Sequence, residues 1–188
     1  MTLFALRRCH GELSALGIGI ETAARALGDG LGRVPSADMS ATLVHLQASD
    51  MTVQRCAHGR DALAVLVDLD DPVLVALGCR LLVQQLDLAC TDFEAAVTAL
   101  LTEIPTEVAD AVQHLGTAAD RLRAVRATLE QHAAPAPLLS DDQASLRMKL
   151  LAHLKPAYTM PSERAVLARF LGVESAPLVA DTPDDCFL

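Results

Sequence analysis

Along most of the chain, apolar residues return every three or four positions, in four stretches parted by short breaks. That spacing lines one face of a helix and lacks the strict alternation of a half-buried strand. The first row is Leu6, Cys9, Leu13, Leu16, Ile20, Ala23 and Leu27. Gly17 and Gly19 weaken it locally, and "GDGLGRVPS" (residues 28–36) is expected to end it. Ser36 is a candidate cap for a second helix reaching about Val67, with Leu46, Val53, Ala57, Ala64 and Val67 as its apolar side. "DLDDP" (68–72) then breaks the pattern. Asp71 followed by Pro72 reads as a restart: a carboxylate for the free amides, then proline at the first helical position. The third row is Leu82, Leu86, Ala89, Phe93, Val97 and Leu100, running to about Ile104, where Pro105 stops it. The fourth is Val108, Val112, Leu115, Ala119, Leu122, Val125 and Leu129.

Four segments of roughly 25–35 residues joined by short breaks predict an all-α fold, an elongated antiparallel four-helix bundle over residues 1–132. Each helix would be roughly 40–50 Å long at 1.5 Å per residue. A linker (133–142), a short C-terminal helical extension (143–172) and a flexible tail (173–188) are expected to follow. The composition suits this: 52% of residues are hydrophobic but only 3% aromatic, with no Trp. Ala, Leu and Val pack long helices; a sandwich or barrel would call for more aromatic and β-branched side chains. An elongated bundle also offers a surface for a homodimer.

Net charge is −9 and no basic stripe is visible, which argues against nucleic acid and against anionic membranes as partners. Five cysteines, an odd number with no CxxC pair, fit a reducing compartment. The opening "MTLFALRRCHGEL" does not read as a secretory signal, and no uncharged run approaches the ~18 residues of a membrane span. The expectation is a cytoplasmic protein.

Within the second helix, "LQASDMTVQRCAHGRD" (46–61) carries Gln47, Asp50, Gln54, His58 and Asp61 at steps of three and four. These share a narrow arc about a quarter turn from the apolar row, so the stripe is expected at the surface beside the core. Asp50 and Gln54, four apart, can address one shared volume. A carboxamide is a poor base, but it can orient a water by accepting one hydrogen bond and donating another. Hydrolysis of an acyl phosphate needs such positioning of a water in line with phosphorus.

Asp50-Met-Thr-Val-Gln54 resembles the D-x-x-x-Q motif of the CheZ-type chemotaxis phosphatases, which sits mid-helix on a long helical bundle. Ser49 stands where that family commonly has Gln. The resemblance implies a phosphatase of two-component signalling that dephosphorylates the phospho-aspartate of a CheY-like receiver. By the same resemblance Gln54 would orient the attacking water, and Asp50 would pair with the receiver's lysine. The receiver would bring the Mg²⁺, with no cofactor belonging to this chain. Gln47, His58 and Asp61 would flank the contact. Apart from the resemblance, the tail's own residues allow two readings: a frayed terminus, or a second, tethering contact made by Phe187 and Leu188 after Asp181, Asp184 and Asp185.

Three other readings compete. "CAHGRDA" (56–62) invites a histidine-phosphotransfer site, but Asp61 stands where such sites carry Lys, and its charge would repel a phosphoryl group. A metal site lacks support, since no two histidines are four apart and no Cys/His cluster has ligand spacing. The strongest competitor is a non-enzymatic helical adaptor, in which Asp50 and Gln54 are only surface residues. The segment "YTMPSERAVLARFLG" (158–172) is either a helix docked on the bundle or one laid in a partner's groove.

Overall fold

The structure, a computed structural model of the chain, describes residues 3–31, 33, 39–69, 71–103 and 108–133. Ser36, the expected helical extension and the tail with Phe187 and Leu188 lie outside the described residues. Within them every regular element is a helix: α1 (Leu3–Leu31), α2 (Met39–Val67), α3 (Pro72–Glu103) and α4 (Ala109–Glu130).

Each helix packs on two others. α1 lies against α2 and α4, and α3 lies against the same two, while neither diagonal pair approaches closely. The direction of each pair follows from its contacts. Gly17 of α1 lies beside Cys56 of α2, and Leu13 beside Gly59. Between α2 and α3, Arg55 meets Asp92 at 3.1 Å and Leu66 covers Gly78. Between α3 and α4, Asp87 meets Arg126 at 2.9 Å and Glu94 meets Arg123 at 2.7 Å. Between α4 and α1, Arg121 meets Glu12 at 2.7 Å and Val108 lies over Gly30. In every pair the residue number rises on one helix as it falls on the other. Such exposed ion pairs each contribute less than about 1 kcal/mol; what they add is register.

The rows expected on α1, α3 and α4 are all buried, with Phe93 the one aromatic side chain among the largest fully buried ones. The Asp71 cap is present: its Oδ1 accepts from the amides of Val73 at 2.9 Å and Leu74 at 3.2 Å, with Pro72 opening α3. α1 ends at Leu31, inside the 28–36 stretch, with Gly28 buried and Val108, just before α4, lying over Gly30. One expectation about the helices needs correction: on α2 the inward row is not the one expected. Leu46 is buried, but Val53, Ala57 and Val67 are half-buried and Ala64 is exposed. The residues that point inward are His45, Ser49, Thr52, Cys56, Gly59, Leu63 and Leu66, about a quarter turn away. Three of the first four are polar, so apolar periodicity pointed to the wrong side. Thr52 satisfies its hydroxyl within the helix by donating to the carbonyl of Ala48 at 2.8 Å.

Arg80, Asp87, Asp92 and Glu94 interrupt α3, so it holds no uncharged run of membrane-span length. By length and overall composition its stretch Pro72–Leu101 is still long and apolar enough to cross a membrane. Half of its most apolar part is buried in the structure, against α2 and α4.

Glycine permits the closest approach of α2 to α3. A Cβ on Gly78 would fall within the side chain of Leu66, itself fully buried. Gly11 has nothing within 4 Å of the corresponding point. Gly78→Ala should therefore destabilise the fold by about 1–2 kcal/mol even after its gain in helix propensity, and Gly11→Ala should stabilise it by about 0.5–1 kcal/mol. Urea denaturation of the two variants checks the pair, and equal stabilities would contradict the close approach.

Candidate functional site

Asp50 and Gln54 lie mid-way along α2, one turn apart, on a helix held against α1 and α3. The structure joins them: the Gln54 Nε2 group donates to Asp50 Oδ2 at 2.8 Å. An ionised carboxylate only accepts hydrogen bonds, so the nitrogen end of the carboxamide must be the end that faces it. The two motif groups thus form one unit.

Their surroundings differ from the expectation of a wet stripe. The stripe stands roughly opposite the true inward row, the side that would ordinarily meet water. Yet Asp50 is only 4% exposed. Gln47, Gln54 and His58 are half-buried, and only Asp61 is exposed. The surface placement is therefore corrected for Asp50. Helical spacing sets an angle around the axis and says nothing of what lies against that side. A carboxylate removed from water needs compensating hydrogen bonds, and a bond to a charged group contributes about 1.5–3 kcal/mol. The Gln54 amide supplies one of them.

The other stripe residues divide. Gln47 and His58 bracket the pair, one turn before and one after, at the same half-buried depth. Asp61 instead turns to its own neighbour, accepting from Arg60 Nε at 2.8 Å and Nη2 at 2.7 Å. A residue outside the expected stripe stands beside Gln54. Arg55 crosses to Asp92 of α3 at 3.1 Å with its side chain only 13% exposed, so it ties this turn of α2 to its neighbour. Thirty-seven positions separate the two in the chain, and no local pattern announces the pairing.

Two open grooves lie elsewhere. One of about 380 Å³ runs between α1 and α4, lined by Phe4, Arg8, Cys9, Glu12, Arg121 and Val125 among others. The other, about 460 Å³, lies where the ends of the helices meet, near Leu6, Leu66, Pro72, Val75 and His132. Neither includes a stripe residue.

The described cysteines, Cys9, Cys56, Cys79 and Cys90, are buried free thiols. Burial pushes Cys56 up to about 12, with the neighbouring Cys90 adding to the shift. It pushes Cys79 and Cys90 up to about 11, and Cys9 upward as well. Thiols so far from their ionised form are packing residues, not nucleophiles. No three His, Cys, Asp or Glu side chains group as metal ligands among the described residues. No family model matches the chain, and no curated protein or solved structure matches it.

The cysteine environments predict slow labelling. At pH 8 the thiolate fraction of Cys56 should lie about 1000-fold below that of an ordinary thiol. Iodoacetamide should leave Cys56, Cys79 and Cys90 unmodified in the native protein and modify all three in urea. Mass spectrometry of the digested protein reads the result, and native labelling of Cys56 would contradict its burial.

Proposed function

We propose that this chain is a phosphatase of phospho-aspartyl receiver domains, built as an elongated antiparallel four-helix bundle and working in the cytoplasm. The observation that carries the reading is the Gln54–Asp50 hydrogen bond at 2.8 Å in the middle of α2. It makes one unit of a carboxamide that can hold a water and a carboxylate that can address a cation. In the reaction the water oxygen bonds to phosphorus as the P–O bond to the receiver's aspartate breaks. The aspartate leaves as carboxylate, phosphate departs, and the water's proton passes to solvent. The receiver supplies the phospho-aspartate and Mg²⁺. This chain supplies Gln54 to orient the water, and catalysis of this kind is mostly positioning. On docking, Asp50 pairs with the receiver's lysine. At 4% exposure its carboxylate is out of a lysine's reach, so docking has to open the face around it.

That same burial favours a second reading. In a non-enzymatic adaptor, Asp50 and Gln54 would be an internal polar pair, and partner binding would fall on another face. The two readings part on one measurement: phosphate release from a panel of phosphorylated receivers with Mg²⁺. The phosphatase reading expects faster release with at least one receiver. It expects Gln54→Ala to slow that release by about 100-fold or more while receiver binding is retained, because a lost positioning group lowers turnover more than affinity. Wild-type rates from Gln54→Ala would end the mechanism.

A further inference from the structure

We propose that Asp50 acts through Gln54, as a positioning residue that sets which end of the carboxamide meets the attacking water. The catalytic meaning of this step rests on the phosphatase reading above; the step itself rests on the geometry of the pair. The two ends of a glutamine amide are alike in shape and opposite in polarity, one donating and one accepting. A glutamine free at the surface presents either end. Here Nε2 donates to Asp50 Oδ2 at 2.8 Å. Turning the amide over would set Oε1 against a carboxylate oxygen, acceptor against acceptor. Asp50 is only 4% exposed, so little water competes for the bond. The Arg55–Asp92 bridge holds the adjoining residue of α2 against α3. The amide is thereby locked with Oε1 turned away from Asp50.

That polarity suits hydrolysis. An attacking water must direct a lone pair at phosphorus and give up a hydrogen. An acceptor such as Oε1 receives a hydrogen bond from the water and leaves the lone pair free to attack, while the proton itself passes on to solvent. A donor in its place would occupy the lone pair. The carboxylate thus has work to do inside this chain, separate from pairing with a receiver's lysine.

Substitution separates the two roles. Asp50→Asn keeps an oxygen for Gln54 Nε2 but adds an NH2 that Oε1 can meet, so it weakens the lock and loses the charge a lysine needs, whereas Asp50→Ala loses lock and charge entirely. Two measurements on the full chain decide. The first follows the Gln54 side-chain amide by ¹⁵N NMR, its signal assigned by its loss in Gln54→Ala. Slow exchange with water is expected in the wild type, intermediate exchange in Asp50→Asn, and fast exchange in Asp50→Ala. A Gln54 signal indifferent to Asp50→Ala overturns the proposal. The second follows phosphate release against receiver concentration. Asp50→Ala should lower the saturated rate by about 10- to 100-fold, and Asp50→Asn, which can still meet Gln54 Nε2, should restore part of that loss. If Asp50→Asn is as slow as Asp50→Ala, with a raised half-saturating receiver concentration in both, lysine pairing is the whole role and positioning is overturned. Absence of phosphate release from wild-type protein with every receiver would sink the phosphatase reading alone. The amide measurement would then still decide whether Asp50 fixes Gln54.

Discussion

The closeness of α2 to its two neighbours is the constraint on which the rest depends. Gly17 lies against Cys56, Gly59 against Leu13, and Gly78 under Leu66, so small residues bring the backbones together along both sides of α2. Close packing of this kind is unforgiving, because an interior with few voids has nowhere to put an added methyl. It also makes α2 a stiff support. A hydrogen bond between residues one turn apart has a lasting direction only if the turn itself stays in place. The Arg55–Asp92 bridge serves that end beside the motif.

What could be read in the residues differs sharply between helices. On α1, α3 and α4 every residue of the expected rows, Leu, Ile, Val and Ala with Cys9 and Phe93, is buried. On α2 periodicity failed, because His45, Ser49 and Thr52 occupy inward positions that a hydropathy pattern assigns to water. Amphipathic patterning reports polarity, and it misleads where a core-facing site accepts a small polar side chain. The end of α1 was legible too: the helix stops at Leu31, within the glycine-rich stretch 28–36 expected to break it.

The site was legible in part. A spacing of four was enough to bring Asp50 and Gln54 together, since that is a property of any helix. The depth of Asp50 was not legible, because burial depends on what lies against a helix face. Nor was Arg55, whose partner lies 37 positions away on another helix. The remaining candidates, Phe187 and Leu188, stand on sequence alone.

The polar inward row of α2 has an energetic consequence. A fully buried leucine contributes about 1.5–3 kcal/mol, and the first turns of α2 hold His45, Ser49 and Thr52 where the other helices hold Leu, Ile or Val. Over residues 45–52, α2 thus gains less from apolar burial than a matching length of α1 does. Its place there rests instead on hydrogen bonds made out of water, from Thr52 to Ala48 and from Gln54 to Asp50, and on the close contacts just beyond, at Cys56 and Gly59.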